Sequence, residues 1–120
     1  MVKPRQKADA WSQAMQLVKL VYEMTLRFPP EERLGLVQQM RRAVVSVPSN
    51  IAEGAGRGSD REFAQFLVIA RGSLSELETQ LIIAKELNYL NEIAVIENKM
   101  HSIFQLLGGL LNKMKKKAVA

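Results

Sequence analysis

The chain has 120 residues, 48% of them hydrophobic and 24% charged, with a formal net charge of +5. That is the size and make-up of one ordinary domain, large enough to build a core without covalent staples. No cysteine is present, which excludes disulfides, thiolate metal sites and a cysteine nucleophile. No stretch approaches the roughly 18 apolar residues of a membrane span, and no apolar signal core follows the basic start MVKPRQKADAW. The expectation is a single soluble, cytoplasmic domain over residues 1–120, with basic tails near 1–7 and 115–120 and no membrane contact.

Apolar residues recur with the 3.6-residue helical period throughout, and no run alternates as a strand would. In the first segment Ala10, Ala14, Leu17, Val21, Met24 and Phe28 form a seam, which Pro29-Pro30 stops. The second segment is expected to open directly after those prolines, with Glu31 and Glu32 where a helix N-terminus favours acids. It runs through Leu36, Met40, Ala43 and Val47 towards Gly54.

Pro48 lies inside that pattern, which continues to Ile51. A proline in a helix interior lacks the N–H of the ladder and crowds the carbonyl four residues back, so a bent helix is expected. Asn50 shares the seam with Ala43 and Met40 and must find a partner, either a carbonyl freed by Pro48 or a group on a neighbouring helix. The run GAGRGS at 54–59 supplies a glycine-rich reversal; glycines there are expected to take a left-handed exit. It is not a phosphate-binding P-loop, because the Gly-Lys-Ser/Thr ending and the preceding strand are both missing.

The third segment opens at Ser59-Asp60-Arg61-Glu62. This is a capping box, in which hydroxyl and carboxylate each accept from the other residue's backbone N–H. Its seam is Phe63, Leu67, Ala70, Leu74, Leu77, Leu81 and Ala84, closed by a turn near Asn88–Asn91. The fourth follows Ile93, Ile96, Met100, Ile103, Leu107, Leu110 and Met114, with Gly108-Gly109 marking a close helix approach or a kink. Four helices of about 30 to 42 Å joined by short connections are expected to form an all-α, up-down-up-down antiparallel four-helix bundle with a proline-kinked second helix. Trp11, Met15, Val18 and Tyr22 on the first helix, and Phe66, Ile69, Ile83 and Leu87 on the third, exceed what one seam needs. A wide face touching two neighbouring helices accounts for most of them; the remainder points to burial against a second copy.

The blocks S-V-P-S-N-I-A-E-G at 46–54, R-x-S-D-x-E-F at 57–63 and A-R-G-S-L-S-E-L-E-T at 70–79 carry a family resemblance. Their order and spacing are similar to those of small bacterial four-helix-bundle proteins first noticed as products of intervening sequences in 23S rRNA genes. The resemblance covers most of the chain. It implies the four-helix fold and self-assembly, with ring-shaped homopentamers as the associated form. It brings no known reaction. Relatives include an accessory protein of diversity-generating retroelements, a basic ring that works with a reverse transcriptase and nucleic acid. That is an analogy at the level of fold.

Charge distribution adds a second expectation. Residues 1–28 carry five Lys/Arg against two acids, and residues 91–120 carry five against two. In the expected topology the chain start, the 54–59 turn and the chain end share one pole. Lys3, Arg5 and Lys7 then converge with Arg57, Arg61, Lys113, Lys115, Lys116 and Lys117, partly offset by Asp9, Glu53, Asp60 and Glu62. Such a pole suits salt-sensitive contact with the phosphate backbone of RNA or DNA, against the competing reading of solvated tails. No aromatic stacking platform accompanies the charges, so base readout on single strands is not expected.

Chemistry beyond this is not legible. His101 is the sole histidine, no Glu-x-x-His pair is present, and Glu76 and Glu78 point to different faces of their helix. No enzyme activity, cofactor or metal is expected. Glu76 interrupts a mostly apolar stripe roughly level with Arg41 and Arg42, and a pair with one of these, within or between subunits, is expected to fix register. Glu53 is expected to meet Arg57 or Arg61. The leading reading is a homo-oligomeric accessory or scaffold protein that contacts nucleic acid; the alternative is a protein–protein adaptor ring that does not.

Overall fold

The computed structural model describes the backbone of residues 2–119 and the side chains of residues 2–115. It is all-α, with α1 over Pro4–Thr25, a 3-10 turn over Pro30–Glu32, α2 over Leu36–Ala55, α3 over Asp60–Glu86 and α4 over Ala94–Val119. Pro4 occupies the first position of α1, where its missing N–H costs nothing. The Lys3 N–H donates to Gln6 Oε1 at 3.2 Å.

The expected seams form the observed core, except that Met24 and Leu36 are only half-buried. Ala10, Ala14, Leu17 and Val21 of α1, all seven seam residues of α3, the six within α4 and Ile93 just before it are buried. In α2 the buried set is wider, adding Val37, Val44, Pro48 and Ile51. Each helix of the four packs against its two neighbours, α1 on α2 and α4, α3 on α2 and α4. Lys113 donates to Gln6 while Lys99 donates to Gln13 and Gln16, so α1 and α4 run antiparallel. Ser46 meets Ser73 while Gly54 sits against Phe63 and Phe66, so α2 and α3 do too. The bundle measures 50 × 23 × 20 Å. Among the described residues no helix is long and apolar enough to cross a membrane.

Three local expectations are corrected. First, α2 does not open at Glu31; those acids lie in the 3-10 turn and the helix begins at Leu36. The reason is a change of partner. Glu32 reaches forward, and its Oε1 accepts from the Leu36 N–H at 3.1 Å, so it caps α2 from outside the helix. Second, no described glycine has a positive φ. Gly56 caps α2 in a right-handed conformation, with its N–H on Ala52 O. Third, in the Ser59 cap the hydroxyl accepts from the Glu62 N–H at 3.2 Å, but the Glu62 carboxylate turns to the hydroxyl and not to the Ser59 N–H.

The left-handed exit occurs instead at the end of α3. Asn88 has φ 61°. The Tyr89 N–H reaches Ala84 O and the Asn88 N–H reaches Lys85 O, both at 3.0 Å. That is a Schellman closure with asparagine in the left-handed position.

Candidate functional site

A groove of about 940 Å³ opens at one end of the bundle. Its lining combines Val2 and Lys7 from the chain start, Arg57 and Arg61 from the glycine turn, and Leu111 and Lys115 from the last turns of α4. The three charge clusters read from the sequence therefore lie around one feature. Arg71 joins them and was missed, because it lies in the middle of α3, away from the charge-rich ends. Its signal was available: Arg61, Ala64, Val68 and Arg71 recur at helical spacing, which places Arg71 on the face that starts at the turn.

The cations are not equivalent. Lys3, Arg5, Arg61, Arg71, Lys113 and Lys115 are exposed. Lys7 is half-buried and its Nζ lies 4.7 Å above the Phe63 ring, a favourable cation–π geometry. Arg57 is held twice, by Glu53 Oε1 at 2.9 Å and by the Phe66 ring at 5.0 Å. Both partners of that ion pair are about half exposed, so the pair contributes little to stability. It does tie the Arg57 side chain down. Lys113 donates to Gln6 Oε1 at 3.0 Å, bracing the chain start against α4. Lys116 and Lys117 lie outside the described side chains.

Of the polar residues singled out from the sequence, Asn50 and Arg41 serve the scaffold. α2 passes through Pro48 without interruption. Asn50 Nδ2 donates to Ser46 O at 2.8 Å and to Ser46 Oγ at 2.9 Å. Its partner is thus not the Val44 carbonyl, whose usual donor Pro48 lacks, but the carbonyl two residues further on. Ser46 Oγ also meets Ser73 Oγ at 2.8 Å, so Asn50 is linked through Ser46 to α3. The expected Glu76 pair does not form within the chain. Glu76 is exposed and makes no ion pair among the described residues. Arg41 is engaged elsewhere: its Nε donates to Thr25 Oγ1 at 3.0 Å, its Nη2 to Tyr22 O at 3.3 Å, and its guanidinium stacks 4.4 Å from the Tyr22 ring. It ties α2 to α1 instead of α3. Arg42 is exposed.

The opposite end carries a clasp that sequence reading did not find, because its partners are far apart in the chain. Tyr89 Oη donates to Glu32 Oε2 at 2.7 Å, and the Tyr89 ring packs at a tilt of 51° against Phe28, with ring centroids 5.4 Å apart. The Tyr89 hydroxyl, and then the Leu36 N–H, hold the Glu32 carboxyl below its ordinary 4.5. The same hydrogen bond, helped by desolvation and the acids Glu32 and Glu31, raises the Tyr89 phenol above 10.0. These groups fasten the α1–α2 and α3–α4 connections to each other.

A search of curated proteins returned no match. A crystal structure of a protein of unknown function from the S23 ribosomal protein family of Bacteroides thetaiotaomicron VPI-5482 superposes with a TM-score of 0.81. The alignment covers 89% of this chain and 98% of that one at 18% identity, which establishes a shared fold. The family model described as 23S rRNA-intervening sequence protein matches residues 6–109. With a match over most of its length, the chain belongs to the 23S rRNA-intervening sequence protein family.

Proposed function

We propose that this protein is a non-enzymatic, homo-oligomeric accessory or scaffold protein whose basic pole contacts the phosphate backbone of RNA or DNA in the cytoplasm. One observation carries the reading: Lys7, Arg57, Arg61, Arg71 and Lys115 line one groove in which Asp60 is the single carboxylate. Lysine and arginine clustered at one end attract phosphates without reading sequence. The exposed Lys3, Arg5 and Lys113 lie on the same two terminal segments and extend the field. In the pentamer implied by the family resemblance, each copy adds its own pole. Binding of the purified protein to generic duplex DNA and RNA, titrated with salt, tests the reading. Affinity that is measurable at low salt and falls steeply as salt rises supports it. Absence of binding to either polymer at low salt overturns it.

The adaptor reading has its own support. Trp11, Met15 and Tyr22 of α1 are 43%, 43% and 39% exposed and recur on one face of that helix. Large apolar side chains aligned this way favour burial against protein. Self-association accommodates them in either reading, and light scattering tests it: a clean monomer at working concentration contradicts the homo-oligomer.

A further inference from the structure

The groove at the basic pole has an apolar side that phosphate contacts leave unused. Val2 and Met114 are buried in its lining, Ala64 and Leu111 are half-buried, and Val68 is 49% exposed at its edge. Along α3, Arg61, Ala64, Val68 and Arg71 form one stripe about 15 Å long, with a guanidinium at each end and apolar groups between. Arg61 is in the first turn of α3, and Lys115 is near the end of α4, so both sit at the tip. A volume of about 940 Å³ is that of a small-molecule site. A polyanion backbone answers the cations and leaves the apolar lining wet. A neutral apolar ligand does the reverse. A molecule with one alkyl chain and one anionic head answers both.

We propose that this groove binds a single-chain amphiphilic anion. The chain lies along Ala64, Val68 and Leu111, and the head is held by Arg61 and Lys115. Arginine pairs with carboxylate and phosphate alike through its fork of donors, so the shared chemistry is a long-chain carboxylate or phosphate monoester. The alkyl stem of Arg71 covers the far end of the chain while its charge stays in water. This assignment does not depend on nucleic-acid binding.

The test is calorimetric titration of the full chain with dodecyl phosphate and, separately, dodecanoate, each below its micelle concentration. One site per chain for either supports the proposal if inorganic phosphate and dodecanol each bind at least about tenfold more weakly. Each methylene added between the octyl and dodecyl homologues is expected to raise affinity about twofold or more. Val68→Gln keeps the charge and replaces a half-exposed side chain, so it folds. It is expected to weaken the amphiphile about fivefold while leaving nucleic-acid binding within about twofold. Arg61→Gln combined with Lys115→Gln is expected to bring dodecyl phosphate down to the affinity of dodecanol. Binding of neither amphiphile, equal binding of dodecanol, or an unchanged affinity in Val68→Gln overturns the assignment. Loss of nucleic-acid binding alone bears on the preceding proposal and not on this one.

Discussion

Gly54 marks a close approach of α2 to α3. A Cβ built there meets Phe66 Cβ at 2.7 Å, Phe63 Cδ1 at 2.9 Å and the Phe63 carbonyl at 3.3 Å. The glycine-rich turn is thus explained at this position by packing and not by backbone conformation. Gly54→Ala is expected to lower stability by about 1–3 kcal/mol, the usual penalty for overpacking a fitted contact; the urea midpoint reads it. The same substitution at Gly58, where an added Cβ meets nothing within 4 Å, is the control. Contact of this kind is invisible in the sequence, which marks a glycine without saying whether dihedral or neighbour requires it.

Glu32 and Tyr89 give a second prediction at this scale, with its sign fixed by the direction of each shift. The Glu32 carboxyl is held below its ordinary value, so its contribution to stability is present above that value and is lost as pH falls through the folded one. The Tyr89 phenol is raised, so its contribution is present below the ordinary phenol value and lost as pH rises through the folded one. Tyr89→Phe removes the shared hydrogen bond. The gap in urea midpoint between wild type and variant is expected to be widest near neutrality and to narrow at both extremes. A gap independent of pH contradicts the linkage. The Glu32 capping of Leu36 was half legible: acids were expected at the start of α2, and they are there in space, but the chain spends a 3-10 turn and Gly35 before the helix begins.

At the scale of elements, the seams of α1, α3 and α4 were legible because burial of one face is what a 3.6-residue period records. Connections were less so. A capping asparagine at Asn88 and a capping carboxylate at Glu32 depend on partners set by tertiary packing, whereas a periodic stripe depends on one helix alone. Gly108 and Gly109 were ambiguous between a close approach and a kink. Among the described residues there is no close approach, since an added Cβ at either meets nothing within 4 Å, and α4 runs through both. Gly109→Ala is therefore expected to stabilise by about 0.5–1 kcal/mol through helix propensity. A lower thermal midpoint that depends on protein concentration instead places a second copy against this face.

At the scale of the molecule, the meeting of both chain ends with the glycine turn was the part of the site that could be read from topology and charge. Arg71 was not, because a lone arginine in mid-helix gains meaning only when its face is known. The pairing of Arg57 with Glu53 was among those expected, but its seat on the Phe66 ring was not; held by both, Arg57 is a weaker candidate for phosphate contact than Arg61, Arg71 and Lys115. Arg27, Arg33 and Lys85 lie towards the clasped end, on or beside the connections that follow α1 and α3. The two ends can be compared by neutralising three cations at each.

The most direct measurement is the slope of log affinity against log salt for duplex DNA, in wild type and in two triple variants. Arg61→Gln, Arg71→Gln and Lys115→Gln together are expected to flatten the slope by about 0.9 for each lost contact, while Arg27→Gln, Arg33→Gln and Lys85→Gln leave it within error. Equal flattening by the two triples, or a larger effect from the clasped end, would contradict a phosphate-binding pole.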